Sequence, residues 1–328
     1  MQKNKIRTLR SIFLLKCIVA TIVFYIWFSY NVRQIGYKQP SIITRDYLTS
    51  GQTYEALTGE QTGILMDITN IIETIRFPQH PASDIVPASL YTQKFQDICT
   101  FYKTICTKIV FKGELSPYNE YVYMASIGYI ISQVDAFTKV SGLPKISDTL
   151  KSITINGAWW DRRGGSTRDT MIINTDKIAN NGEFFEVFSH ELGHVFDLGM
   201  MQWVSTYKDK NFTEFAKVVF ATDDISLQFY ELSRKNESTR LLTSKQDDFC
   251  SGYGMTDPFE DIAECFNLYT NHNAYFKKIA LSNTVLASKY NFFANIMNWY
   301  YIFGSTTDLT KLSGKKLTRR AWDTTRMW

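Results

Sequence analysis

Apolar positions along the chain fall into helical and strand-like patterns separated by clear breaks. A mostly apolar stretch runs from Ser11 to Tyr30, interrupted by Lys16, and one amphipathic run, Leu65 to Ile75, follows among Gly, Pro and Ser breaks. The apolar run from Lys108 to Phe111 reads as a strand, and the stretch from Pro117 to Val140 as a helix. Ser141-Gly142, with Pro144 beyond, stops that helix. Strands are expected at Ile153–Ile155 and Met171–Ile173, flanking a Gly-Gly loop. Further helices are expected through Phe184–Phe188, over 258–270 and near 286–303. The segment 203–249 also reads as helical, although its charges blur the boundaries. The pattern is an α/β (α+β) arrangement, a small mixed sheet backed by helices above a helical lower subdomain, without internal repeats.

The apolar helix beginning at Phe184 runs into His190-Glu191-Leu192-Gly193-His194. Helix positions four apart share a face, so His190 and His194 can offer two imidazoles to one metal ion. Glu191 then stands where it can polarise a water on that metal. Gly193 costs about 1 kcal/mol in a helix interior, and a close backbone approach behind the site would explain its small size.

A catalytic zinc needs a third protein ligand. The HExxHxxGxxH pattern fails, because Asp197 and Met200 replace its glycine and third histidine. His80 and His272 lie in polar or Pro-flanked segments and are expected at the surface. Carboxylates do better. Asp257-Pro258 signals a helix start, and Glu260 and Glu264 then share one face, one turn apart. That spacing suits one carboxylate on the metal and a second that orients a ligand histidine. Asp261 points off this face and fits a solvated acidic first turn.

The pattern HExGHxxD followed by YGxTxxxExxAExF resembles the lethal-factor-like clan of zinc metallopeptidases, which includes the bacterial Pro-Pro endopeptidases. The matching residues are His190, Glu191, Gly193, His194, Asp197, Tyr253, Gly254, Thr256, Glu260, Ala263, Glu264 and Phe266. Trp160 to Thr167, leading into Met171–Asn174, is similar to the Gly-Gly-Ser loop and edge strand that border the cleft in those peptidases; Lys289 to Phe293 resembles their closing helix more loosely. The resemblance covers about 109–303 and implies a zincin-like fold. It implies one Zn²⁺ held by His190, His194 and Glu260, with Glu191 as general base. It also implies that Tyr253 donates to the oxyanion, and that Asp197 and Glu264 stand behind the ligands. The strand Thr170 to Asn174 would pair with extended substrate backbone, while Trp159, Trp160 and Ser166 line the subsites. A core pair is an equal reading for Trp159-Trp160.

Charge and cysteines then give an address. The formal charge of +4 coincides with the tail, where six Lys/Arg meet two Asp between Thr306 and Trp328. The remainder is near neutral, which argues against a nucleic-acid-binding body. Lys3, Lys5, Arg7 and Arg10 precede the apolar stretch and put the N-terminus inside. An uncleaved anchor is favoured, since no small-x-small site follows Phe28; secretion after cleavage is the alternative. Cys99, Cys106, Cys250 and Cys265 permit two disulfides or free buried thiols. A Cys99–Cys106 bridge requires a break in the helix between them.

The expected organisation is a cytoplasmic basic N-terminus (1–10), a transmembrane signal-anchor (11–30) and a stalk or helical pre-domain (31–108). A zinc metallopeptidase domain (109–303) and a solvated basic tail (304–328) follow. The expected function is a membrane-anchored zinc endopeptidase acting outside the cell on protein or peptide substrates. A non-catalytic interaction protein of the same fold and a zinc hydrolase with a non-peptide substrate are the alternatives.

Overall fold

Four short strands form one mixed sheet in the order β1 (Ile109–Phe111), β2 (Ser152–Ile155), β4 (Thr170–Ile173) and β3 (Gly164–Ser166). β1, β2 and β4 are parallel, and β3 runs antiparallel to β4. Side chains alternate across the pleat, and the register sets Ile153 beside Met171 and Ile155 beside Ile173, all buried. This computed structural model describes Ile64, Ile68 and Ile72, and residues 88–138, 143–156, 161–201, 207–213, 220–298, 302 and 321–327. The Ser11–Tyr30 stretch, His80, Trp159-Trp160 and residues 303–320 lie outside them. Among the described residues no helix is long and apolar enough to cross a membrane.

The sheet corrects one expectation. β4 is an interior strand, and the edge is β3 with its Gly-Gly-Ser sequence. A strand without apolar alternation carries no periodic signal; backbone pairing to β4 is what makes it one.

Helices pack around the sheet in chain order. They are α1 (Ala88–Phe101), α2 (Lys103–Cys106), α3 (Pro117–Phe137), α4 (Ile146–Thr149) and α5 (Asn181–Val195). After α5 come α6 (Ile225–Tyr230), α7 (Pro258–Asn271), α8 (Asn273–Ala280) and α9 (Thr284–Ile296). Ile64, Ile68 and Ile72 are helical at four-residue spacing, the last two buried, as the run from Leu65 suggested. The stretch before 109 is no separate stalk near its end. Tyr91 of α1 meets Tyr118 and Tyr121 of α3 at 5.1 and 5.8 Å between ring centroids, and Phe95 meets Phe111 of β1 at 5.8 Å. Tyr102 breaks the helix with φ −102° and ψ 44°, which lets Cys99 and Cys106 approach to 5.2 Å between Cα atoms and form a disulfide.

Below the sheet the core is aromatic. Phe196 meets Phe266 at 5.0 Å, and Phe293 of α9 meets Phe266 at 6.0 Å and Phe229 of α6 at 5.7 Å. Each buried ring contributes about 1.5–3 kcal/mol of transfer free energy. In the segment 203–249, expected to be helical, the helical elements among the described residues are α6 and a 3-10 turn at Gln246–Asp248. Its polar side chains bind backbone in place of a helical ladder: Asp209 accepts from the amides of Asn211 and Phe212, and Glu237 from that of Thr213. The tail also departs from expectation. Thr324, Thr325 and Met327 are buried, because the polar groups of this segment find partners at the site described next.

Candidate metal centre

α5 begins where Asn180 accepts from the Glu183 amide at 3.0 Å, and Glu183 reaches back to the Ala179 amide at 2.7 Å. The helix is buried nearly all round, Glu186 and Ser189 included, with Phe184 stacked on Tyr123 of α3 at 3.9 Å. That burial fixes the rotation at which His190 and His194 emerge, with ring centroids 5.0 Å apart. One residue past the helix, the backbone widens into a π-turn, Phe196–Met200, carrying Asp197.

α7 starts as its sequence predicts. Asp257 accepts from the Glu260 amide at 2.8 Å, and Pro258 occupies the first helical position. The two ligand helices touch at Gly193, where an added Cβ would lie 2.9 Å from Ala263 Cα. The glycine is therefore required by close approach, as its unfavourable place in a helix suggested.

At this crossing Glu260 Oε2 lies 3.1 Å from His190 Nε2 and 3.4 Å from His194 Nε2. The three ligand atoms all fall within 4.8 Å of one another. Donors of a tetrahedral zinc at 2.0–2.2 Å would stand about 3.3 Å apart, so this donor set fits that ion in kind and spacing. Behind it, Glu264 Oε1 lies 2.9 Å from His190 Nδ1, in ion-pair range though off the line of a good hydrogen bond. Burial alone would lower both imidazoles. Glu260 and Glu264 outweigh it at His190, raising it well above an ordinary histidine, and Glu260 does so at His194. Burial would likewise raise Glu260, yet the two imidazoles hold it well below the usual carboxylate range. The pocket is thus a place where nitrogen and carboxylate donors converge with little water.

Glu191 faces the sheet edge. Ser166 Oγ lies 2.6 Å from Glu191 Oε2 and 3.0 Å from its backbone carbonyl. A Cβ on Gly164 would lie 2.6 Å from Glu191 Oε1, so a larger residue there would require the Glu191 side chain to move. Tyr253, in a 3-10 turn before α7, donates its hydroxyl to Glu260 Oε1 at 2.8 Å. Burial first, then the Glu260 charge, raise its pKa, so the hydroxyl stays a donor.

The other predicted residues sort clearly. Asp197 is buried behind His194, but the hydrogen bond that the structure gives it comes from the Tyr230 hydroxyl at 2.5 Å. Burial pushes its carboxyl up to about 7. Asp261 is not solvated. It is buried against Lys289 Nζ at 2.5 Å, which also donates to the Asp248 carbonyl at 2.7 Å. His272 is not at the surface; it is buried with Nε2 3.0 Å from Glu186 Oε2, and it takes no part in the metal cluster. Cys250 and Cys265 form a disulfide with Cα atoms 5.3 Å apart, tying the Tyr253 turn to α7.

Two contributors had no assigned role in the sequence, and a third had a different one. Arg163 donates to Glu183 Oε1 and Thr325 Oγ1, each at 2.7 Å, and pairs with Asp323. The Thr324 amide donates to Glu264 Oε2 at 2.8 Å. Ser166 was placed among subsite residues, whereas its hydroxyl is directed at Glu191. Comparison with protein-family models, with curated proteins and with solved structures finds no match for this chain.

Proposed function

We propose that the chain is a zinc-dependent endopeptidase of zincin-like fold, anchored in the membrane by Ser11–Tyr30 with its catalytic domain outside the cell. The observation that carries this reading is the meeting of His190, His194 and Glu260 beside both Glu191 and Tyr253. His190, His194 and Glu260 would hold the zinc ion, which when bound supplies Lewis acidity for attack of water on a carbonyl. Glu191 takes the proton of the attacking water and passes it to the leaving amine. Ser166 holds that carboxylate at the sheet edge, beside the path of a substrate strand pairing with β3. Tyr253 donates to the oxygen that becomes negative in the tetrahedral intermediate, an interaction worth about 2.7–4 kcal/mol in comparable sites. Glu264 orients the His190 ring. Two disulfides suit an oxidising compartment and support the outward orientation.

The test uses the full chain in detergent with a mixed peptide library, beside Glu191→Gln, with cleavage sites read by mass spectrometry. The parent should cut, while the variant should lose about 10²–10⁴-fold in rate or more and still bind one zinc. Equal cutting by both would remove Glu191 from its role. Zinc binding without any cutting would favour the interaction-protein alternative.

A further inference from the structure

The segment Ala321–Met327 crosses the back of the site and touches three of its working parts. The Trp322 carbonyl accepts from the Tyr253 amide at 2.6 Å, and the Ala321 carbonyl from the Gly252 amide at 3.1 Å. The Thr324 amide donates to Glu264 Oε2, whose other oxygen faces His190 Nδ1. Asp323 pairs with Arg163, the residue immediately before β3, and Asp323 Oδ1 accepts from the Thr325 amide at 2.9 Å. Thr324 is itself gripped by Asn267 of α7, 3.1 Å from Nδ2 to Oγ1.

Met327, Thr324 and Thr325 are buried while Trp322 is 68% exposed, and the contacts to the site come from backbone amides and carbonyls and from Asp323. Glu264 is fully buried, so its second oxygen needs a donor, and a backbone amide supplies one that cannot swing away.

We propose that Ala321–Met327 is a positioning strap for the metal centre, acting through the Thr324 amide on Glu264 and His190 and through Trp322 on Tyr253. The proposal rests on the zinc reading above. The strap holds one ligand histidine and the oxyanion donor to the same rigid segment, so displacing it loosens both together. Partners that orient metal ligands typically contribute 10- to 100-fold in metal affinity.

The backbone offers a clean test. Thr324 is the first residue of a 3-10 turn, and Asp323 before it is extended at φ −143° and ψ 123°. Proline is tolerated at such a first position after an extended residue, and relative to alanine it removes the amide hydrogen. Thr324→Pro is therefore compared with Thr324→Ala, which also lacks the hydroxyl but keeps the amide hydrogen. Zinc affinity of the full chain in detergent is measured by chelator competition, with kcat and KM on a cleaved peptide alongside.

Thr324→Pro should bind zinc 10- to 100-fold more weakly than Thr324→Ala and lose kcat with little change in KM. Equal zinc affinity of the proline and alanine variants would overturn the strap and leave the zinc reading standing. A parent chain that binds no zinc would overturn both.

Discussion

The two faces of α7 use the same ingredients to opposite ends. Glu260 and Glu264 look toward α5 and meet imidazoles; Asp261, the very next residue, looks away and meets Lys289. The Asp261–Lys289 pair is wholly buried, with the ammonium also 4.6 Å from the Phe249 ring and the disulfide beside it. Burial raises Asp261 and lowers Lys289, and their mutual attraction opposes both shifts. Every donor there is spent on a protein partner. On the other face the Glu260 side chain keeps 17% of its surface, and three donors converge on one point. The two sets of carboxylates therefore differ by where their partners aim, since both are paired.

That contrast can be broken from either side. Lys289→Met should leave a buried carboxylate without its cation and cost about 3–5 kcal/mol of stability in urea denaturation, with zinc affinity unmoved. Asp261→Asn in the same chain should recover part of that loss; no recovery would mean Lys289 acts through its aromatic contacts. Glu260→Ala should do the reverse, lowering zinc affinity more than about 100-fold, beyond what an orienting partner contributes, with a smaller change in the metal-free melt. A larger zinc effect from Asp261→Ala than from Glu260→Ala would exchange the two faces.

The smallest effect concerns a carboxylate with no cation bonded to it. Asp197 is held up to about 7 when folded against 3.8 for the free side chain, with burial the leading cause. The folded state thus binds its proton more tightly, so this contribution is full below about pH 4 and is lost as pH rises through about 7. Asp197→Asn should narrow the difference in melting temperature between pH 5 and pH 8, measured on metal-free protein. An unchanged difference would assign the pH dependence elsewhere, Asp224 being the nearest candidate because burial raises it to about 6.

What the sequence made legible was local. His190, Glu191 and His194 share one helix, and Glu260 is announced by Asp257-Pro258 three residues earlier, so fixed helical spacing was enough to propose them. Gly193 was legible because a glycine in a helix needs a cause. The rest depends on partners far along the chain. Arg163 and Asp323 are 160 residues apart, and the Thr324 contribution is a backbone amide that any residue but proline would provide. Asp261 looked solvated because its cation lies 28 residues away on α9. Strand order was equally hidden: Thr170–Ile173 has the apolar pattern, yet the three residues beyond it in the sheet form the edge. Outside α6, the described residues between 207 and 250 lack an α-helical ladder for the same reason, since Asp209, Glu237 and Arg234 bond to backbone at positions no period predicts.

The missing methyl of Gly193 sets a gauge. Ala263 rests against it at a distance no side chain would permit, one residue from His194 on α5 and three from Glu260 on α7. A larger residue there would part α5 from α7 by a few tenths of an ångström, and the triangle of donors would widen with them. Under the proposed zinc reading, the ionic radius best suited to the site would grow. Selectivity among cations of like charge would then be a matter of interhelical spacing, written at a position that contacts no ion.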